Sequence, residues 1–333
     1  MDMSKAVARI SVTGILLAAC PVHAQAPDDA AAWWRHYHDG ARLVTLADGK
    51  KVSLYCEGKG APLAMMVSGA GSGAWTWHKV QSAIARTTRT CTYDRPGYWN
   101  SPPAAGPHDA GTEADDLAAL LKAANLPAPY VIVAHSYGGY IARLYAGRHT
   151  ADLAGLVLVD PSSAHQDDRF AKIAPPPPEA DPAKPKHCAI EPRPADMAKT
   201  CILRQPPPDL PPELVDWFTQ GQTPGYAAAL GDELEAMPGV SSTLLDAEKK
   251  GLGAVPFLLL NRGKPTAVSA SLNAAAAARL DEIWLQMHQE IMDISSDAEL
   301  RIIYGASHRI QDDKPDAVIT AVTDVVTKAR KTR

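Results

Sequence analysis

Residues 134–139, Ala134-His135-Ser136-Tyr137-Gly138-Gly139 (AHSYGG), join an apolar strand to a helix, and this junction indicates the class of fold. Residues 130–134 (YVIVA) are typical of a buried strand, and residues 137–148 have the composition of a helix. Small residues, Ala134 and Gly138, stand two positions before and after Ser136, where strand and helix approach closely. The pattern predicts that Ser136 lies on a sharp turn and projects its hydroxyl above the edge of a sheet.

Strands and helices alternate on both sides of this turn. The patterns predict strands at residues 41–46, 51–56, 62–68, 89–93, 130–134, 154–159, 255–260 and 300–304. They predict helices at residues 75–85, 137–148, 271–294 and 316–331, and one more with Thr112 as its N-cap. This alternation indicates an α/β fold, in which a mostly parallel eight-stranded sheet carries helices on both faces.

The composition is that of an ordinary globular protein. The chain has 333 residues, of which 46% are hydrophobic and 21% charged, so a sizeable core is expected. The formal net charge is −4 and no long basic run occurs, which argues against a nucleic-acid partner. No segment beyond the N-terminal region is apolar enough to predict a membrane span.

The N-terminal region has the pattern of an export signal. Lys5 and Arg9 form a short positive region before an apolar run at residues 10–19, which is too short to cross a bilayer. We predict that residues 1–24 are a signal peptide and that the mature protein is periplasmic or secreted. An alternative is a lipoprotein signal, which would put a lipid anchor on Cys20.

The regular alternation breaks at residues 162–250, which are rich in proline. Trp217, Phe218 and Tyr226 make this block too apolar for a solvated linker. We therefore expect residues 162–250 to form a cap inserted after strand 6. Residues 25–161 and 251–333 are expected to form the core domain.

A second motif points to a known family. Tyr93-Asp94-Arg95-Pro96-Gly97-Tyr98, together with the turn at Ser136 and the strand that ends at Asp160, resembles the α/β-hydrolase family. The resemblance covers about residues 41–165 and 254–330. The chain departs from the family pattern at Ala134, where a glycine is usual, and after Tyr98.

The resemblance implies a serine nucleophile with a histidine base. Ser136 would be the nucleophile, and His308, which follows the last predicted strand, would be the base. The implied oxyanion hole would use the backbone amides of Tyr137 and Ala70, with Gly71 as the alternative to Ala70.

The family's usual position for the acid is vacant in this sequence. The loop after residues 255–260 reads Asn261-Arg262-Gly263-Lys264 and contains no Asp or Glu. The family also uses the end of the preceding strand, and Asp160 stands there. We therefore assign Asp160 as the residue that orients His308.

The topology implied by the resemblance also suggests disulfide pairs. It places Cys56 beside Cys91 on neighbouring strands, and we expect these two to be bonded. The remaining pair, Cys188 and Cys201, would close a loop in the cap.

The implied reaction is hydrolysis of a small acyl substrate, which requires no metal or cofactor. A carboxylic ester is the first choice, and an amide, peptide or carbon–carbon bond is the alternative. A non-catalytic binding protein on the same scaffold is the hypothesis from a different class. The residues expected to line the substrate pocket are Gly71, Trp75, Tyr98, Trp217 and Trp284.

Overall fold

One mixed sheet organises the protein. The computed structural model describes residues 27–174, 204–269 and 272–331. Its strands are β1 Arg42–Thr45, β2 Lys51–Glu57, β3 Leu63–Val67, β4 Thr90–Asp94, β5 Tyr130–His135, β6 Leu153–Val159, β7 Phe257–Arg262 and β8 Ala298–Ile303. Their order is β1-β2-β4-β3-β5-β6-β7-β8. β1 and β2 run antiparallel to their neighbours and all other pairs are parallel, which confirms the predicted α/β fold.

Helices cover both faces of this sheet. They are α1 Pro27–Gly40, α2 Gln81–Ala85, α3 Ala110–Ala123, α4 Gly138–Arg148, α5 Gln166–Ala171, α6 Val215–Gln220, α7 Pro224–Ala236, α8 Ser242–Ala247, α9 Ala274–Met292, α10 Ile310–Asp313 and α11 Pro315–Lys331. The helices α3, α4 and α9 pack on one face, and α2 and α11 pack on the other. No helix in these described ranges combines the length and the apolar character needed to cross a bilayer.

The central strand β5 is apolar throughout because both faces of the sheet are covered at this strand. Ile132 and Ala134 enter the core under α3 and α4, whereas Val131 and Val133 enter the core under α11. Side chains alternate between the faces of a strand, so a sheet covered on both sides buries every position. Parallel strands also bring their carboxyl ends to one edge, and this edge holds the candidate site described below.

Two local predictions differ from the structure. The expected helix at residues 75–85 is divided into a 3₁₀ turn, Ala74–Trp77, and the short α2. Tertiary packing causes the break, because Trp75 and Trp77 enter different hydrophobic clusters. The N-cap of α3 is Asp109, not Thr112, and its carboxylate accepts from the amides of Gly111 and Thr112.

A long segment separates β6 from β7, and we refer to residues 160–256 as the insertion. Its described parts contain α5, α6, α7 and α8. Phe218 of the insertion contacts Trp34 of α1, and Trp33 of the same helix contacts Tyr55 of β2, all within one aromatic cluster. The helix α1 therefore packs between the insertion and the sheet.

A disulfide bond joins Cys56 of β2 to Cys91 of β4, as the resemblance implied. These strands are neighbours, and Cys56 and Cys91 face each other in register. Cys188 and Cys201 lie outside the described residues, as does the predicted signal peptide at residues 1–24.

Removal of this disulfide is expected to destabilise the protein. The two cysteines are 35 residues apart, and closing a loop of that length removes denatured-state entropy worth about 4 kcal/mol at 25 °C. The double variant C56A/C91A should therefore lose about 3–4 kcal/mol of unfolding free energy in a urea titration. Reductant should lower the stability of the wild type by a similar amount and leave the double variant unchanged. Equal unfolding midpoints in the wild type and the variant would contradict the prediction.

Candidate active site

Ser136 occupies the turn between β5 and α4, as the sequence predicts. Its φ angle is +53°, a left-handed conformation that is rare for a residue with a side chain. The turn is held because the Ser136 carbonyl accepts from the amides of Gly139 and Ser162 at 2.8 and 3.0 Å. A Cβ atom on Gly138 would lie 2.6 Å from the carbonyl oxygen of Val67, so only glycine fits this crossing of strand and helix.

His308 lies between Ser136 and Asp160. It follows β8, and its Nε2 is 2.9 Å from the Ser136 hydroxyl oxygen. Its Nδ1 is 2.7 Å from Asp160 Oδ2. Because a carboxylate can only accept, the proton belongs on Nδ1, which leaves the lone pair of Nε2 facing the serine hydroxyl. The structure thus brings together the three side chains selected from the sequence.

Asp160 is fully buried and fully hydrogen-bonded. While Oδ2 accepts from His308, Oδ1 accepts from the backbone amide of Arg262 and from Trp284 Nε1, both at 2.9 Å. Burial by itself would raise the pKa of this carboxyl, but the His308 hydrogen bond and the other donors outweigh it and lower the pKa. Asp160 is therefore ionised at neutral pH. The last residue of β7 contributes the Arg262 amide, and no acid follows it in the next loop.

Two supporting contacts were not recognised in the sequence. Trp284 was expected to line the pocket, but its indole N–H binds Asp160, 124 positions away. His135 directly precedes Ser136, and its Nε2 donates to the backbone carbonyl of His308 at 2.9 Å. Burial, followed by the proximity of His308, lowers the pKa of His135 to about 3, so His135 is a neutral donor that anchors the His308 loop.

Loss of the Trp284 indole donor is expected to lower the catalytic rate. Trp284→Phe keeps an aromatic ring at this position of α9 but removes one of the two hydrogen bonds to Asp160 Oδ1. We expect kcat for the hydrolysis that the resemblance implies to fall about tenfold, which is a rise of ~1.4 kcal/mol in the activation free energy. The reason is the loss of a hydrogen bond to the charged group that orients the base. Steady-state kinetics would measure this, with the melting temperature as a check on folding. An unchanged kcat in folded W284F would show that Arg262 alone holds the carboxylate.

The backbone amides expected to bind an oxyanion lie at the same edge. Tyr137 is the N-cap of α4 and directly follows Ser136, and Ala70 lies in the turn after β3. Gly71 was the alternative to Ala70, but its amide donates to the Tyr98 hydroxyl at 3.2 Å and is already engaged. Within residues 27–174, 204–269 and 272–331, no hydrogen bond from the amide of Ala70 or Tyr137 is present.

The predicted pocket residues do not form one wall. Trp75 is 1% exposed and Tyr98 is 0% exposed, and both lie inside the aromatic cluster that joins the insertion to the sheet. Trp217 packs against that cluster and donates to Asn100. Trp75 and Tyr98 are therefore core residues in this structure, whereas a pocket role for Trp217 stays a prediction. The sequence could not make this distinction, because apolar core and apolar pocket have the same composition.

No second chemical centre is evident in the described part of the chain. Among those residues, no group of three or more His, Cys, Asp or Glu side chains is placed to hold a metal ion. A cavity of about 240 Å³ lies between α4, α8 and α9 and is not lined by Ser136, Asp160 or His308.

Comparison with known proteins agrees with the observed fold. The sequence profile of the Alpha/beta hydrolase family matches residues 64–321. The uncharacterized protein YqjL of Bacillus subtilis is 24% identical over 258 residues, which cover 78% of this chain and 81% of that protein. For several other curated relatives, the chain spans only 16% to 39% of their length.

Solved structures share the fold at low sequence identity. A candidate epoxide hydrolase from Pseudomonas aeruginosa matches with a TM-score of 0.63 at 17% identity, covering 88% of this chain and 97% of that one. A thermophilic esterase from Thermogutta terrifontis matches with a TM-score of 0.55 at 19% identity, covering 87% of this chain and 98% of that one. The match to the family profile extends over most of the sheet and the helices around it, and the chain therefore belongs to the alpha/beta hydrolase family.

Proposed function

We propose that this protein is a serine hydrolase that cleaves carboxylic esters through Ser136, His308 and Asp160. The observation that carries the proposal is the position of His308, with Nε2 2.9 Å from the serine oxygen and Nδ1 2.7 Å from the aspartate. A serine hydroxyl needs an adjacent base to act as a nucleophile, and the base needs a partner that fixes its tautomer. Both requirements are supported by these contacts.

The proposed reaction has two halves. As the Ser136 oxygen attacks the ester carbonyl, His308 Nε2 takes the hydroxyl proton, and the amides of Ala70 and Tyr137 donate to the developing oxyanion. The intermediate collapses when the C–O bond to the alcohol breaks and His308 returns the proton to the leaving oxygen. Water, deprotonated by His308, then attacks the acyl-enzyme and releases the acid and free Ser136. The N-terminus of α4 places its positive dipole end beside the oxyanion.

Leaving-group chemistry favours an ester over an amide. An alkoxide needs less protonation to depart than an amine, so an ester makes the smallest demand on His308. An amidase, peptidase or carbon–carbon hydrolase on the same three residues is the alternative.

Epoxide hydrolysis is disfavoured, although one structural neighbour is a candidate epoxide hydrolase. Attack of a serine oxygen on an epoxide would form an ether, and Ser136 and His308 have no route to hydrolyse an ether bond. A carboxylate nucleophile would instead form an ester that water can cleave.

The setting proposed for this activity is outside the cytoplasm. The Cys56–Cys91 bond suits a periplasmic or secreted protein, since disulfides persist in oxidising compartments. We also propose that residues 162–250 act as a cap over the site. The described parts of that block pack against the edge that carries Ser136.

A fluorophosphonate probe tests the proposal directly. It should label Ser136 in the wild type and should not label a folded S136A variant. A panel of p-nitrophenyl esters with varied acyl length, run beside the matching anilides, should show turnover of esters and little turnover of anilides. A folded wild-type protein that resists the probe would favour a binding protein on this scaffold.

A further inference from the structure

Arg95 holds the peptide that carries the proposed oxyanion donor. Its Nη1 donates to the Ser68 carbonyl at 2.8 Å and its Nη2 to the Gly69 carbonyl at 3.1 Å. A trans peptide is planar, and its C=O and N–H point in opposite directions. The Gly69 carbonyl and the Ala70 amide belong to the same peptide. Arg95 therefore fixes the direction in which the Ala70 N–H points.

Arg204, which belongs to the insertion, holds the next two carbonyls. Its Nη2 donates to the Ala70 carbonyl and its Nε to the Gly71 carbonyl, both at 2.9 Å. The Tyr226 hydroxyl also donates to the Gly71 carbonyl, at 3.0 Å. Both peptides that flank the Ala70 Cα atom are thus fixed, one by Arg95 and one by Arg204. We refer to Ser68–Gly71 as the oxyanion turn.

The insertion also positions Arg95. Glu233 of α7 accepts from Arg95 Nε at 2.8 Å, and Glu113 of α3 lies 3.3 Å from the same nitrogen. All three side chains are almost completely buried. Arg204 is itself anchored, because its backbone N–H and C=O are bonded to the Gln222 side chain at 2.7 and 2.8 Å. Both arginines therefore reach the oxyanion turn with the support of residues from the insertion.

We propose that Arg204 and Arg95 are positioning residues for the oxyanion hole, and that the insertion sets the hole's geometry through them. The inference rests on the proposed function, since it assigns a role to the Ala70 amide in that reaction. Arg204 and Arg95 touch only the rear, carbonyl side of the turn, and they act through the orientation of the Ala70 N–H. The insertion is in this way part of the catalytic apparatus as well as a cover.

Glycine makes such support necessary. The turn contains Gly69 and Gly71, and Gly71 has a φ of +61°. Glycine crosses between backbone conformations at little cost, so an unsupported peptide here can rotate its N–H away from the site. Losing an oxyanion donor outright lowers kcat by about 10²- to 10³-fold, and an incompletely oriented donor should cost about 10- to 100-fold.

Arg204→Met is the test variant, because Arg204 lies at the edge of the core and its loss should leave the fold intact. We expect kcat to fall by about 10- to 100-fold with KM changed less than about threefold. Arg204→Lys, which retains the charge and can reach one carbonyl, should recover part of the loss. Arg35→Met is the matched control, since Arg35 also bonds to the insertion, at Glu213, but does not touch the turn.

Two further measurements separate positioning from general damage. The affinity for an alkyl boronic acid, whose serine adduct places an oxygen in the oxyanion hole, should fall in parallel with kcat in R204M. Hydrogen exchange of the peptide containing residues 68–73 should become faster in R204M and not in R35M. Unchanged exchange in R204M would overturn the inference regardless of activity, as would an unchanged kcat. Failure of the proposed function would look different: the wild type would not react with the fluorophosphonate probe.

Discussion

Replacing Ser136 by alanine is expected to lower kcat/KM for an ester substrate by about 10⁵- to 10⁶-fold. Alanine removes the oxygen that His308 Nε2 faces at 2.9 Å and leaves no atom that can form an acyl-enzyme. Residual hydrolysis should come only from water in a site that still offers the Ala70 and Tyr137 amides. The measurement is a progress curve with the best ester of the p-nitrophenyl panel, at enzyme concentrations high enough to detect slow turnover.

The matched control is Ser163→Ala. Ser163 lies three residues after Asp160 and is buried. Its hydroxyl has no hydrogen-bond partner within the described chain. We expect this variant to retain activity within about twofold, because its hydroxyl contacts neither His308 nor a donor to the substrate. If folded S136A kept more than a few per cent of the wild-type rate, the nucleophile would have to be another group.

The core of the site could be predicted because its residues are tied to local patterns. Ser136 is marked by a strand, a helix and the small residues between them, and all of these lie within one short stretch. The resemblance places the base after the last strand, and His308 is the only histidine in the sequence after β8. Asp160 follows from the resemblance, because the loop after β7 has no acid.

The supports of the site could not be predicted in the same way. Trp284 donates to Asp160 and Arg204 donates to Ala70, across separations of 124 and 134 residues. Such contacts depend on how α9 and the insertion pack, and they leave no period or spacing in the sequence. Trp75 and Tyr98 were expected at the pocket but are buried in the aromatic cluster, because an apolar side chain suits a core and a pocket equally well.

Asp160→Asn is expected to lower kcat by about 10⁴-fold while the fold is retained. The reason lies in the donors around the carboxylate. Oδ1 accepts from the Arg262 amide and from Trp284 Nε1, so an asparagine must place its oxygen there. Its NH₂ group then faces His308 Nδ1 and forces that nitrogen to accept. The proton moves to Nε2, and His308 can no longer take the proton of Ser136.

A neighbouring variant provides the control. Asp281→Asn is the matched substitution, since Asp281 bonds Arg262 and Thr266 near the site but has no contact with His308. It should keep kcat within about threefold. A D160N variant with near-wild-type turnover would refute the assignment of Asp160.

A double variant tests the orientation argument itself. In the D160N background, Trp284→Phe removes one of the two donors that hold the asparagine oxygen away from His308. The amide can then rotate more easily and present its oxygen to Nδ1, which restores the productive tautomer in part of the population. The loss caused by W284F in the wild type should therefore shrink or reverse in D160N. If the two losses simply multiplied, tautomer control by the donors to Oδ1 would not be the cause of the D160N defect.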